Sequence, residues 1–255
     1  MTPPLLAIVD IAKAFGGVQA LAGVSFDVAA GERVALIGPN GAGKTTLFNV
    51  LGGQLAPDRG AAALAGRRLT GLAPQTIARL GVGRTFQVTA SFASMTVREN
   101  VQLALLARRG RTYSVLSRLP SLGANEAQSL LERVGIGTLG PLSAATLAYG
   151  DLKRLELAIA LADAPRLLLM DEPTAGLAPP ERARMMGEVS GLARSAGAAL
   201  LFIEHDMDVV FAHADRIVVL NRGRVIAAGA PAAVRADPRV RSVYLGNPVP
   251  GPGHA

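Results

Sequence analysis

The chain alternates apolar runs and polar turns in the manner of an α/β protein. Residues 33–37 (RVALI) contain almost no polar break, which is typical of a strand buried on both faces of a sheet. The runs 166–170 and 198–203 have the same character, and each ends at acidic residues. Between them, residues 179–197 have a helical pattern with prolines at the start and a glycine at the end. This order of strand, helix and strand predicts a parallel sheet with right-handed crossovers.

The remaining segments differ from this core. Apolar stretches of strand character at 5–11 and 24–28 are separated by FGGVQAL, and residues 216–229 indicate a terminal hairpin. From 96 to 162 the pattern predicts helices and loops without a strand. There Thr96 and Glu99 have the spacing of a capping box, just before an apolar helix face. A helical insert therefore interrupts the predicted α/β core.

Composition excludes several classes of protein. Charged residues interrupt every apolar run long before the roughly 20 residues that a transmembrane helix needs, and the N-terminus lacks the features of a secretory signal. The absence of cysteine excludes a disulfide framework and a thiolate metal site, so we expect a cytosolic chain. The net charge of +7 has three interpretations: binding to nucleic acid, a position beside an anionic membrane surface, or an arginine-rich surface that is simply solvated. Because aromatic residues make up only 4% of the chain, the last two interpretations are favoured.

Residues 38–45 (GPNGAGKT) match the phosphate-binding pattern G-x-x-x-x-G-K-[ST] between a buried strand and a predicted helix. Glycines are needed there because a backbone that wraps phosphate must approach more closely than a Cβ allows. The helix amides point at the anion, Lys44 is expected to reach the β- and γ-phosphates, and the Thr45 hydroxyl to ligate Mg²⁺. A glycine-rich turn with a chance lysine is the less favoured interpretation. The predicted phosphate-binding residues are Gly38, Pro39, Asn40, Gly41, Ala42, Gly43, Lys44, Thr45 and Thr46.

Acidic and imidazole side chains follow the next two predicted strands. Asp171 suits Mg²⁺, because a carboxylate at the carboxyl end of a strand faces the crevice where open α/β sheets bind ligands. Glu172 is placed to polarise an attacking water as general base, which favours a hydrolase over a kinase or a nucleotide store. The alternative is an acidic strand end that only caps the next turn. His205 is predicted to hydrogen-bond the γ-phosphate, although a histidine considered alone would more often be structural.

Together these motifs resemble the nucleotide-binding subunit of ABC transporters, from Leu5 to Gly246. GPNGAGKT is similar to the Walker A motif, LLLMDE to the Walker B motif, Gln87 to the glutamine of the Q-loop and His205 to the switch histidine. LAYGD (147–151) stands where the family has its signature, commonly LSGGQ. More narrowly, KAFGG, LAYG, IEHDM and YLG resemble the subfamily that takes up branched-chain and other hydrophobic amino acids and amides.

The resemblance implies a P-loop NTPase (RecA-like) α/β core with an N-terminal antiparallel β subdomain and an inserted helical subdomain. We expect residues 1–90 and 163–230 to form the core with its β subdomain. Residues 91–162 would form the helical signature subdomain, and 231–255 a C-terminal tail whose NPVPGPGHA end is predicted to be disordered.

In this family two nucleotide-binding domains face head to tail, so the resemblance implies that Ala148, Tyr149 and Gly150 bind the nucleotide held by another subunit. Gly150 allows a close approach to phosphate, and the helix after it offers free amides. Phe15 stands where the family stacks an aromatic ring on adenine; a core phenylalanine is the alternative. Gln87 would contact Mg²⁺ or the attacking water and relay the nucleotide state to the helical insert.

The implied function is an ATP hydrolase that powers an importer, with ATP and Mg²⁺ as cofactors. Its expected partners are a second ATP-binding subunit, identical or related, and transmembrane permease subunits that contact the loops around Val88 to Met95. A solute-binding protein would take part indirectly, no nucleic-acid partner is expected, and the chain would lie peripherally at the cytoplasmic face of the cell membrane. The solute itself is left open by the sequence.

Three residues depart from the family pattern. Ala148 replaces the signature serine and lacks a hydroxyl hydrogen bond worth about 1 kcal/mol. Asp151 replaces the usual glutamine and, in the first turn of a helix, favours the helix dipole. Ala178 stands where an aspartate commonly makes a contact between subunits. We expect a weakened composite site, unless a different partner subunit compensates.

Two other functions are less favoured. A soluble ABC-type ATPase acting on DNA or ribosomes is compatible with the charge, but the chain has no second cassette, long coiled coil or zinc-binding cysteines. A non-hydrolysing regulatory subunit is opposed by the presence of Lys44, Asp171 and Glu172.

Overall fold

The computed structural model describes residues 3–85, 91–108, 123–162 and 164–245 of the chain. The strands are β1 (Leu6–Phe15), β2 (Val18–Val28), β3 (Arg33–Ile37), β4 (Arg59–Leu64), β5 (Arg67–Arg68), β6 (Val82–Arg84), β7 (Leu167–Asp171), β8 (Ala199–Ile203), β9 (Arg216–Asn221) and β10 (Arg224–Gly229). The helices are α1 (Lys44–Leu51), α2 (Pro74–Arg79), α3 (Val97–Arg108), α4 (Ala124–Arg133), α5 (Tyr149–Ala162), α6 (Pro179–Ser195), α7 (Met207–His213), α8 (Pro231–Ala236) and α9 (Pro238–Leu245). Across the described ranges, no helix has both the length and the apolar character to span a membrane.

A six-stranded sheet in the order β10-β9-β3-β8-β7-β6 forms the centre of the molecule. Its strands pair in parallel except for β10, which is antiparallel to β9. The three apolar runs predicted as buried strands are β3, β7 and β8, and the predicted terminal hairpin is β9 and β10. Because these strands are parallel, the segments that follow β3, β7 and β8, which carry the glycine-rich motif, Glu172 and His205, leave the sheet at one edge.

Both faces of this sheet are covered, so successive side chains of one strand enter different cores. In β7, Leu168 and Met170 belong to one core, which also contains apolar residues of α3 to α6. Leu167 and Leu169 belong to the other core, shared with α1 and the antiparallel sheet. Burying one such side chain contributes about 1.5–3 kcal/mol, which explains why these runs contain no polar residue.

The second sheet is antiparallel, in the order β2-β1-β4-β5. This sheet confirms the expected β subdomain, but the number and the boundaries of its strands differ from those predicted. The turn is confined to Gly16 and Gly17, both with positive φ, so β2 starts at Val18 rather than near residue 24. Strands β4, β5 and β6 were not predicted, because their alanines, glycines and arginines have weak strand propensity.

The segment between β6 and β7 is helical in its described parts, with α3, α4, α5 and two short 3₁₀ turns. The predicted capping box is present, since the Thr96 amide donates to Glu99 Oε2 at 2.8 Å and the Glu99 amide donates to Thr96 Oγ1 at 3.1 Å. The apolar face from Val97 to Leu105 is buried against α4 and α5. The boundaries proposed for the subdomains stay a prediction, and the 247–255 end lies outside the described residues.

Candidate functional site

The loop between β3 and α1 is shaped by close contacts that only glycine permits. A Cβ on Gly38 would lie 2.1 Å from the Leu220 carbonyl oxygen, and one on Gly43 would lie 2.4 Å from the Ala20 carbonyl oxygen. Gly43 also has a φ of +104°, in the left-handed region. The loop is thus held between β9 of one sheet and β2 of the other. No side chain caps α1, so its first amides are available to an anion.

Lys44 is buried inside this loop. Its Nζ donates to the carbonyl oxygens of Gly38 at 2.6 Å and Pro39 at 3.1 Å. Burial lowers the pKa of Lys44, while the nearby charges of Glu172 and Asp171 oppose that shift. The ammonium group therefore lies within the loop, near enough to two acids to feel their charge, and can exchange loop carbonyls for phosphate oxygens.

The other residues of the motif lie around Lys44 in the same loop and helix start. Asn40, Gly41 and Thr45 are exposed, whereas Ala42 is buried. The Thr45 hydroxyl is thus accessible to a ligand approaching the loop. All nine predicted phosphate-binding residues lie in one continuous segment, and their roles remain predictions.

Asp171 is the last residue of β7 and is only 3% exposed. Within the described part of the chain, its Oδ1 has no hydrogen-bond partner, which is uncommon for a buried carboxylate. Burial raises the pKa of Asp171, although the charges of Arg84 and Lys44 act in the opposite direction. The unpartnered carboxylate oxygen of Asp171 and the hydroxyl of the exposed Thr45, next to Lys44 in the chain, are oxygen donors of the kind that Mg²⁺ prefers.

Glu172 follows Asp171 in a strained conformation and meets His205. Its φ is +52°, which for a non-glycine residue costs roughly 1–3 kcal/mol, and its amide donates to the Ile203 carbonyl oxygen at 3.0 Å. The His205 Nε2 lies 2.8 Å from Glu172 Oε1, and the side chains are 48% and 27% exposed. The two groups are 33 residues apart in sequence, yet form one carboxylate–imidazole pair open to solvent.

Gln87 lies outside the described residues, but the strand leading to it is described. Arg84 Nη1 donates to the Phe48 carbonyl oxygen at 2.9 Å, and its Nη2 donates to Asn49 Oδ1 at 2.8 Å, at the end of α1. The Thr85 amide donates to the Leu169 carbonyl oxygen at 3.0 Å. Arg84 was not singled out from the sequence; the available signal was an arginine inside GRTFQ at the end of a short strand.

The residues of LAYGD begin α5 and contact the turn after β7 rather than the glycine-rich loop. A Cβ on Gly176 would lie 2.9 Å from the Tyr149 ring, and Tyr149 is 48% exposed. A Cβ on Gly150 would lie 3.8 Å from Leu177 Cδ2. Apart from its chain neighbours and the backbone of its own helix, no other described atom would be within 4 Å. Ala148 is also exposed. This chain therefore leaves one side of LAYGD open, and nothing within its described part requires a glycine at 150.

Asp151 and Ala178, two of the residues that depart from the family pattern, lie at the starts of α5 and α6. Asp151 forms an ion pair with Arg154 at 3.3 Å, and Arg154 also binds Glu188 of α6 at 3.2 Å. Ala178 is the N-cap residue of α6 and supplies no side-chain hydrogen bond. Arg154 thus connects α5 to α6, and Asp151, in the first turn of α5, is a second partner of this arginine.

Phe15 lies at the end of β1 and is 49% exposed. The Lys13 ammonium is 5.7 Å from the centroid of its ring. The exposure rules out the interpretation of Phe15 as a core residue. An exposed aromatic face is available for stacking, and adenine binding there stays a prediction.

Comparison with known proteins gives a consistent result. The family described as "ABC transporter" matches residues 21–175, and the family described as "Branched-chain amino acid ATP-binding cassette transporter" matches residues 224–249. The chain is 41% identical to the high-affinity branched-chain amino acid transport ATP-binding protein LivG of Salmonella typhimurium, over 96% of this chain and 99% of that protein. It is 38% identical to BraF of Pseudomonas aeruginosa, which carries the same description, over the same shares. A solved nucleotide-free ATP-binding cassette from an ABC transporter has a TM-score of 0.85 and 31% identity, over 95% of this chain and 99% of the other.

Proposed function

This chain belongs to the ABC transporter family as an ATP-hydrolysing subunit, and on that basis we propose that it drives uptake of branched-chain or other hydrophobic amino acids or amides. The observation that carries the catalytic part is the 2.8 Å contact between His205 and Glu172, at the sheet edge where Asp171 and the glycine-rich loop also lie. The solute class is supported by identity over nearly the whole chain to proteins named for such transport. A soluble ATPase acting on nucleic acid or ribosomes is not favoured.

In the proposed reaction, the amides of α1 and Lys44 bind the phosphates of ATP. Thr45 and Asp171 would hold Mg²⁺, directly or through water, and the ion would supply positive charge that stabilises the phosphate oxygens. Glu172 takes a proton from the attacking water, and His205 orients Glu172 and contacts the γ-phosphate. Gln87 would contact the ion or the water.

The proposed ATP site is completed by a second ATP-binding subunit, identical or related, through the exposed start of α5. Permease subunits would contact the loop around 88–95, of which the described part bears an exposed Phe92. Leu142 is exposed as well, and its neighbour Ser143 donates to the Ala93 carbonyl oxygen at 3.0 Å, so two large apolar side chains lie close to this loop. In the proposed complex the chain would lie peripherally at the cytoplasmic face of the membrane, with a solute-binding protein acting on the permease.

The test is ATP hydrolysis by the purified chain over a series of protein concentrations, together with Glu172→Gln and the matched surface variant Glu132→Gln. We expect a rate that rises more than linearly with concentration, falls about 10²–10⁴-fold in Glu172→Gln and is unchanged in Glu132→Gln. Tight Mg²⁺-ATP binding without hydrolysis would mean that a related subunit completes the site. Failure to bind Mg²⁺-ATP would refute the proposal.

The solute class needs a separate test. The chain would be coexpressed with the permease and binding protein of a branched-chain amino acid importer that lacks its own ATP-binding subunits. Uptake of labelled leucine that requires Glu172 is expected. Normal ATP hydrolysis without leucine uptake would contradict the solute class and leave the ATPase intact.

A further inference from the structure

A buried carboxylate without a role in the proposed reaction lies between the two catalytic turns. Glu204 is the residue before His205 and is only 4% exposed. Its Oε1 accepts hydrogen bonds from the Thr174 amide at 2.9 Å and the Thr174 hydroxyl at 2.6 Å, and its Oε2 accepts one from the His205 amide at 3.2 Å. All three partners are donors, so both carboxylate oxygens act as acceptors here.

These hydrogen bonds close a ring of contacts around the catalytic pair. Thr174 lies two residues after Glu172, in the turn that follows β7, and Glu204 joins this turn to the backbone of His205. The ring is completed by the contact between the His205 imidazole and the Glu172 carboxylate. The position of Glu204 therefore sets the separation of the two turns that carry the pair.

A second bridge joins the same turns on the other side of His205. Arg182 donates to the Leu177 carbonyl oxygen at 2.8 Å and to Asp206 Oδ2 at 3.0 Å. Both neighbours of His205 are thus tied to the turn that begins at Glu172. Of the two bridges, the one formed by Glu204 is buried and lies closer in sequence to Glu172.

We propose that Glu204 is a positioning residue for ATP hydrolysis, which holds Glu172 and His205 in hydrogen-bonding geometry without touching ATP. This rests on the proposed function, in which Glu172 is the general base. Glu172 has a strained backbone that needs support from its surroundings, and displacement of a catalytic group by about 1 Å can cost roughly 10²-fold in rate.

The test uses Glu204→Gln in the pairing, homodimer or heterodimer, that hydrolyses ATP. The glutamine replaces one acceptor oxygen by a donor, which must face a backbone amide of either Thr174 or His205. We expect kcat to fall about 10–100-fold while the KM for ATP stays within twofold. Thr174→Val, which removes one donor, should lower kcat less, and should add little in the Glu204→Gln background because both act through the same bonds. Ser190→Ala, a buried hydroxyl on α6, is the control and should leave kcat unchanged.

The outcomes separate the two proposals. A wild-type kcat in folded Glu204→Gln, or a change confined to KM, would overturn the role of Glu204 while the proposed function stands. If Glu204→Gln does not fold, Thr174→Val decides, and an unchanged kcat there would overturn the role. Absence of ATP hydrolysis by the wild-type protein in either pairing would overturn the proposed function, and this inference with it.

Discussion

Gly150 offers a substitution whose effects on stability and on activity should have opposite signs. It lies in the first turn of α5, and an alanine Cβ there would meet Leu177 Cδ2 at 3.8 Å, an ordinary van der Waals contact. Within this chain, Gly150→Ala should therefore be tolerated. If the glycine faces the nucleotide of a second subunit, however, the added methyl group would prevent the close approach of phosphate.

The sizes of both effects can be stated in advance. Replacing glycine by alanine within a helix stabilises by about 0.5–1 kcal/mol, which should raise the Tm of a chain of this length by roughly 1–4 °C. A charge-assisted hydrogen bond to phosphate contributes about 1.5–3 kcal/mol. Each such bond lost should lower kcat/KM roughly 10–100-fold.

Thermal unfolding and steady-state ATP hydrolysis of Gly150→Ala would be measured beside Gly191→Ala. Gly191 lies in α6, and beyond its chain neighbours and the backbone of its own helix no described atom lies within 4 Å of the place that an added methyl group would take. The control should therefore gain stability and keep full activity. An active Gly150→Ala would refute the assignment of this residue to a shared nucleotide site. A loss of both stability and activity would show that the glycine serves the fold of its own chain.

Substitutions at three further sites, Ala148, Phe15 and the capping box of Thr96 and Glu99, probe other parts of the molecule. Ala148→Ser should restore a hydroxyl hydrogen bond of about 1 kcal/mol and raise ATP hydrolysis roughly fivefold in steady-state assays. Phe15→Ala should weaken ATP binding about 5–100-fold by titration, since stacking of a base on an aromatic ring contributes about 1–3 kcal/mol, whereas Phe15→Tyr should bind normally. Thr96→Ala should lower the free energy of unfolding by about 1 kcal/mol in denaturant titrations at pH 7. The backbone hydrogen bond from Thr96 lowers the pKa of Glu99, so this carboxylate stabilises the fold above its unfolded pKa near 4.3. That contribution is lost as the pH falls through the lower folded pKa, so the stability difference between wild type and Glu99→Gln should shrink as the pH is lowered below about 4.3.

At each of these three sites, one result would contradict the prediction. An unchanged rate in Ala148→Ser would mean that no phosphate oxygen lies near this position. Equal ATP affinity in Phe15→Ala would exclude stacking at Phe15. A stability difference between wild type and Glu99→Gln that does not shrink as the pH is lowered below about 4.3 would show that the carboxylate charge is not what the capping box uses.

The sequence predicted the parallel core well because its strands are buried on both faces and therefore appear as continuous apolar runs. It did not predict β4, since the alanines of residues 61–63 give no strand signal and pairing with β1 decides their conformation. The predicted topology implied that Glu172 and His205 lie at the same edge of the sheet. It did not imply that their side chains are 2.8 Å apart. The bonds of Glu204 were also beyond prediction, because their partner Thr174 lies 30 residues away in another turn.

The packing of Tyr149 on Gly176 has an evolutionary consequence. The tyrosine ring occupies the space that a side chain at 176 would need, and the φ of +80° at Gly176 adds a second reason for glycine. The common signature LSGGQ has glycine at the place of Tyr149, so relatives of that kind are free of the steric constraint. The two positions should therefore vary together: an aromatic residue at 149 is expected with glycine at 176, and a larger residue at 176 only where 149 is small. A chimera that exchanges the signature alone would break this pairing, whereas exchanging both segments would preserve it.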